Sequence, residues 1–207
     1  MQKLLFAMIF TITLNASAAF AKTETAIFAG GCFWCVESDF DSVKGVTKTI
    51  SGYAGGTMPN PTYKNHEGNL EAVKIEYDPD IISYEELVSY FLRTIDVTDA
   101  GGQFCDRGES YSSAIFAKGS AQKASAENAI SEAEAALGQK IVTPVKSTSS
   151  FTAAEAYHQN YHLGKNRVLT RFGWIKQEDA YHRYREGCGR DAQVKKVWGA
   201  AAYPTIN

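Results

Sequence analysis

Cys32 and Cys35 stand three residues apart in the stretch Gly30-Gly31-Cys32-Phe33-Trp34-Cys35-Val36-Glu37, with two large aromatics between them. Thiols at that spacing suit four uses: a redox pair, half of a metal site, a structural disulfide, or one working nucleophile beside a bystander. The thiolate is the reactive form, and a helix N-terminus favours it through unpaired N–H groups and the positive end of the macrodipole. Residues 25–29 are apolar and β-prone and run into Gly30-Gly31, after which Phe33, Val36, Glu37, Phe40 and Asp41 recur at helical spacing. The pattern therefore predicts Cys32 at a strand-to-helix turn, with Phe33 and Trp34 able to wall an apolar pocket beside its sulfur. The plainer alternative is a small buried cysteine in a hydrophobic corner.

Other groups could serve such a thiol. Glu71 lies on the alternating run 70–77, Tyr63 closes Asn60-Pro61-Thr62-Tyr63, and Cys105-Asp106-Arg107-Gly108-Glu109-Ser110-Tyr111 adds a carboxylate and a second phenol. A carboxyl buried among aromatics keeps its proton to higher pH and can act as an acid near neutrality. Cys105 and Cys188 complete the four cysteines, which allow three pairings if all are bonded. A zinc site is disfavoured because only one CxxC pair is present, and His158 and His162, four apart, have no evident third ligand.

The elements that must position these groups follow from periodicity. Strands are predicted over 25–29, 46–53, 70–77, 112–117 and 143–146, and a helix begins at Cys32. Ser83 and Glu86 form a capping box ahead of an apolar helix, and Ser120 opens an Ala/Glu-rich helix ending near Gly138. Residues 96–109 read as irregular and 153–162 as a short helix. The order predicts an α/β (α+β) fold, a two-layer split-βαβ (ferredoxin-like) sandwich. A long, loosely patterned C-terminal tail follows, from about 163 to 207, with a last short helix over 191–198.

Lys3, the apolar run 4–14 and Ala19-Phe20-Ala21 have the layout of a secretory signal peptide, too short to span a bilayer, with cleavage expected after Ala21. The rest, 22–207, is expected to be one catalytic domain that includes the tail, exported to the periplasm or secreted, and monomeric. With 23 acidic and 21 basic residues the formal net charge is -2, which gives no reason to expect nucleic acid or a membrane surface as partner.

"GCFWCVE", "GYAGG", "NPTY", "EAVKIEYDP" and "CDRGESY", in this order and spacing, resemble the A-type peptide-methionine (S)-S-oxide reductases over roughly residues 25–198. The resemblance implies thiol-dependent reduction of methionine (S)-sulfoxide, free or in oxidised exported proteins, with no metal and no bound cofactor. It makes Cys32 the nucleophile on the sulfoxide sulfur and Glu71 the acid on its oxygen. Phe33 and Trp34 would hold the methyl group, with Tyr63, Asp106 and Tyr111 around the oxygen. The resulting sulfenic acid must condense with a second thiol to a disulfide, which a thioredoxin-like dithiol then reduces. Cys188, between two glycines in "CGRD", is the expected resolving cysteine, with Cys35 and Cys105 as further redox candidates. Three positions depart from many relatives: Asn69 where they carry His, Cys35 where they carry Gly or Ser, and Cys105 where they carry Asn. The rival reading is a thiol–disulfide oxidoreductase using Cys32 and Cys35, which leaves Glu71 and the tyrosines without a role. A third is an exported binding module with two structural disulfides and no catalysis.

Overall fold

The computed structural model describes residues 22–147 and 150–206; the signal peptide expected over 1–21 lies outside them. A six-stranded sheet forms the centre, built from β1 (Glu24–Gly30), β2 (Val46–Ala54), β3 (Leu70–Tyr77), β6 (Ser113–Ala117), β7 (Val145–Ser147) and β8 (Phe151–Ala153). Two short strands, β4 (Gly102–Gln103) and β5 (Asp106–Arg107), pair with each other in the connection before β6. The strand order is β7-β6-β1-β3-β2-β8. β3 runs antiparallel to both β1 and β2, so those two are parallel with β3 between them, as a split βαβ unit requires. β7 and β8 extend the sheet at its two edges.

Successive residues of β1 serve opposite faces of the sheet. Ala26 and Phe28 join the main core, while Ile27 and Ala29 join a smaller cluster with Ala54, Leu70, Ala72, Ala114 and Phe116. The main core is closed by α1 (Phe33–Phe40), α2 (Tyr84–Leu92) and α3 (Gly119–Leu137). The capping box at α2 is present: Ser83 N–H donates to Glu86 at 2.8 Å, and Glu86 N–H donates to Ser83 Oγ at 3.2 Å. On α3 the buried stripe is Ala126, Ala129 and Ala133, small residues at helical spacing, and Gly138 ends the helix in the left-handed region.

Two expectations need correction. Residues 153–162 do not form a helix: β8 leads into two single 3-10 turns, Ala156–His158 and Tyr161–Leu163, separated by Asn160 at φ 51°. A left-handed residue at that point stops α-helical propagation. The tail beyond 163 is also more regular than its pattern suggested. It folds into the hairpin β9 (Arg167–Thr170) and β10 (Gly173–Lys176), then α4 (Gln177–Gly187) and α5 (Arg190–Trp198). Arg190 anchors it to the domain, donating to the carbonyls of Gly30 and Thr94, each at 3.1 Å, and pairing with the buried Asp39 at 3.4 Å. Arg185 meets the same Asp39 at 2.8 Å. A buried charge is tolerated only when paired, so these contacts tie the tail to the back of α1. Among the described residues no helix is long and apolar enough to cross a membrane.

Candidate active site

Cys32 is the N-cap residue of α1, directly after the turn at Gly31, whose φ is 79°. A Cβ at Gly31 would stand 2.6 Å from the Cβ of Gln103, so the turn needs glycine on both conformational and steric grounds. The turn places Cys32, Phe33 and Trp34 on a small cleft of about 40 Å³ that is also lined by Tyr63, Glu71, Asp106, Tyr111 and Tyr184. Seven of these eight were expected from the sequence. They arrive from α1, the loop after β2, β3, β5 and the turn following β5, so only the folded sheet assembles them.

The electrostatics of the cleft are set by burial. Glu71 is 2 % exposed and accepts a hydrogen bond from the Phe33 N–H at 3.0 Å. Burial pushes its carboxyl up to about 8, against that hydrogen bond, with the nearby Asp106 adding to the rise. Glu71 is therefore mainly protonated at neutral pH, the form an acid must hold. Asp106 is raised by burial too, opposed by the Tyr184 hydroxyl that donates to it. The Tyr63 phenol is pushed up to about 12 by burial and remains a donor throughout the physiological range.

The helix start was expected to favour a thiolate at Cys32, and the structure corrects that. Burial pushes the Cys32 thiol well up, reinforced by the adjoining Cys35 and by Glu71 when it ionises, while the Tyr184 hydroxyl works in the opposite direction. Cys35, one turn into α1 and 1 % exposed, hydrogen-bonds to Cys32 and is lowered by it, with help from Arg190 and Arg185. The resting pocket is therefore neutral: a thiol on Cys32 facing a carboxylic acid on Glu71.

Trp34 is held from behind by groups the sequence reading did not assign to the site. Tyr161 stacks on it with ring centroids 3.8 Å apart and planes 9° from parallel, and Tyr184 meets it edge-on at 6.1 Å. The Trp34 indole N–H donates to His158 Nδ1 at 3.1 Å. Burial lowers His158 to about 4, which keeps it neutral and able to accept that bond. The role of Tyr157-His158-Gln159-Asn160-Tyr161-His162 depends on the two turns that aim it. The two histidines do not converge: His158 faces Trp34, whereas His162 pairs with Asp41 at 3.0 Å. Asn69 accepts from the Gly56 N–H at 3.1 Å and fixes the loop leaving β2.

His158→Phe would keep the packing but leave the buried indole N–H without an acceptor, a cost of about 1–3 kcal/mol shared between folding and pocket order. We expect the apparent affinity of the cleft for its substrate, read in single-turnover assays, to fall about fivefold or more, with the rate at saturation much less affected. Equal losses in both would place His158 in the chemical step.

The remaining cysteines form a disulfide, Cys105–Cys188, while Cys32 and Cys35 are free thiols. Cys188, expected to partner Cys32, is the C-cap residue of α4 and is bonded to Cys105; the thiol adjoining Cys32 is that of Cys35.

The family model "Peptide methionine sulfoxide reductase" matches residues 24–198. The chain is 47% identical over 209 residues to "Peptide methionine sulfoxide reductase MsrA 2" of Rhizobium meliloti (strain 1021), covering 100% of both chains. Among solved structures it is similar to Mxr1 from Saccharomyces cerevisiae in reduced form, with TM-score 0.63 and 28% identity, covering 72% of this chain and 90% of that one. A structure of Mxr1 in complex with Trx2 matches with TM-score 0.50 and 24% identity, covering 72% of this chain and 92% of that one.

Proposed function

The chain belongs to the A-type peptide methionine sulfoxide reductase family and reduces methionine sulfoxide; on that footing we propose how its residues divide the work. Cys32 attacks the sulfoxide sulfur while Glu71 gives its proton to the sulfoxide oxygen, and the Cys32 proton replaces it on the carboxyl. The products are Cys32 sulfenic acid and the thioether, with no net proton taken up. Phe33 and Trp34 hold the methyl group, and Asp106, Tyr63 and Tyr111 receive the oxygen. The observation that carries this assignment is one buried, protonated carboxyl and one buried thiol on the same cleft, walled by Phe33 and Trp34.

A chiral sulfoxide presents its methyl group and oxygen to different walls, so the cleft selects one epimer, which we assign as S. Reduced enzyme mixed with each epimer of a blocked methionine sulfoxide, without added reductant, tests this. Consumption of the S epimer alone supports the reading, and equal consumption of both, or of neither, contradicts it.

The sulfenic acid is removed by a thiol of the chain, and the disulfide that results is reduced by a thioredoxin-like dithiol. The complex of the similar protein Mxr1 with Trx2 supports that choice of reductant. We assign 1–21 as a secretory leader, the working compartment as periplasmic or extracellular, and oxidised exported proteins as substrates of a monomeric enzyme. A mature N-terminus at Lys22, found by sequencing the exported protein, is the expected result for the leader.

A further inference from the structure

We propose that Glu37 is a positioning residue: its carboxylate holds the Asn160 N–H and so seats the His158 and Tyr161 rings behind Trp34, which makes the methyl-binding wall sensitive to one buried proton. The inference rests on the proposed role of Trp34 at the cleft and deepens it.

The geometry is a clamp on one short loop. Glu37 lies on α1, is 0 % exposed and does not line the cleft. One of its oxygens, Oε2, accepts from the Asn160 N–H at 2.9 Å. Asn160 is the left-handed residue between the two 3-10 turns, one carrying His158 and the other Tyr161. Its neighbour Gln159 fastens the same loop to β2, donating to the Ser51 carbonyl at 2.9 Å and accepting from the Ser51 N–H at 3.0 Å. Adjacent residues thus tie the loop to β2 through a neutral amide and to α1 through an ionisable carboxyl. His158 and Tyr161 are the groups that hold the Trp34 indole, by a hydrogen bond and by stacking.

The surroundings of Glu37 give its proton two settings. Among the described residues, Glu37 Oε1, Ser51 Oγ and His162 Nδ1 are buried without a hydrogen-bond partner. A proton on Oε1 lets the carboxyl donate to Ser51 Oγ and relieves two of these groups at once. The charge then leaves Oε2, and a hydrogen bond to an ionised acceptor is roughly twice as strong as one to a neutral acceptor. Protonation therefore turns Glu37 toward β2 and loosens its hold on Asn160. Burial pushes the carboxyl up to about 7, opposed by the Asn160 N–H; Asp41 at the end of α1 adds to the rise, and His162 and the Ser51 hydroxyl oppose it. His162 is itself paired with Asp41 at 3.0 Å. Above pH 7 the carboxylate seats the loop, and below it the neutral acid holds it less firmly.

Glu71 and Glu37 then act on different quantities. Loss of the Glu71 proton slows the chemical step on the alkaline side, whereas gain of the Glu37 proton weakens substrate binding on the acid side. Single-turnover assays from pH 6 to pH 8 separate them. In the wild type the apparent affinity for blocked methionine sulfoxide is expected to fall about fivefold between pH 8 and pH 6, with no matching acid limb in the rate at saturation. Glu37→Gln keeps the length and still accepts from the Asn160 N–H, but with a neutral oxygen. It should show the weaker affinity at every pH and an unchanged saturated rate at pH 7. A wild-type affinity flat over this range would overturn the proposal. So would an acid limb that survives Glu37→Gln, or equal losses of affinity and saturated rate at every pH.

A measurement without turnover keeps the two readings apart. The Trp34 indole N–H is followed by ¹H–¹⁵N correlation spectra in Glu71→Gln protein, where the nearby acid no longer titrates, and is assigned with Trp34→Phe. Its resonance is expected to shift with a midpoint near 7 and to stay still once Glu37→Gln is added. His158, lowered by burial to about 4, stays neutral throughout that window. A transition that persists in Glu37→Gln belongs to another group, His162 first among them, and overturns the assignment, as does an indole that does not titrate. A Glu37-dependent shift in a protein whose wild type releases no methionine would support the seating of Trp34 and overturn the sulfoxide reading alone.

Discussion

Cys32→Ser is expected to release no methionine from methionine sulfoxide above the uncatalysed rate, whatever reductant is supplied. Cys32 is the cysteine that lines the cleft with Glu71, while Cys35 lies one turn further into α1 and Cys105 and Cys188 open onto a different groove. A serine hydroxyl fills nearly the same space but is a weak nucleophile without an adjacent base, and the group opposite it is a protonated acid. The fold should tolerate the change, since Cys32 caps α1 through its backbone with no side-chain hydrogen bond to the N–H groups of the helix. Intact near-UV circular dichroism with no methionine by chromatography is the expected pair of results. Activity retained in Cys32→Ser would move the nucleophile to another cysteine.

Glu71→Gln is expected to slow methionine release in a single turnover by about 10²- to 10⁴-fold, the range that a positioned general acid contributes. Glutamine keeps the shape and still accepts from the Phe33 N–H, but cannot give a proton to the departing oxygen. The pH profile separates loss of the acid from simple misfitting. Burial holds the Glu71 carboxyl at about 8, so the reactive acid form dominates at neutral pH and disappears as pH rises through that value. The wild-type rate should therefore fall on the alkaline side near pH 8, and the variant should lack that limb. A rate in Glu71→Gln within a fewfold of wild type, or an unchanged alkaline limb, would remove Glu71 from the acid role.

Much of this site is legible in the sequence because its parts are local. The Gly30-Gly31 turn, the helical spacing after Cys32 and the alternation around Glu71 each fix one element, and the Ser83/Glu86 capping box fixes another. What is not legible is long-range. The Cys105–Cys188 bond spans 83 residues, and four cysteines carry no information about which pairs the folded chain brings together. α4 escapes notice because its sequence is polar along most of its length, with only Gln177, Ala180 and Tyr181 buried. Tyr184 therefore reads only as part of a tail packed on the domain, although it lines the catalytic cleft. Residues 153–162 read as a helix because their aromatic spacing fits one; Asn160 in the left-handed region breaks it and sends His158 and His162 to different neighbours. The Cys32 thiol shows the same limit in its chemistry. Its position at a helix start is local and was foreseen, whereas its burial is global and outweighs the dipole.

The central claim is that Cys32 takes the sulfoxide oxygen. In Cys35→Ser/Cys105→Ser/Cys188→Ser, all three candidate thiols for resolving it are gone, so a sulfenic acid formed at Cys32 should persist. The decisive measurement is peptide mass mapping of that variant after one turnover with methionine (S)-sulfoxide in the presence of a dimedone trap. We predict one dimedone adduct, on Cys32, in proportion to the methionine released. Methionine released with Cys32 unmodified would contradict the account.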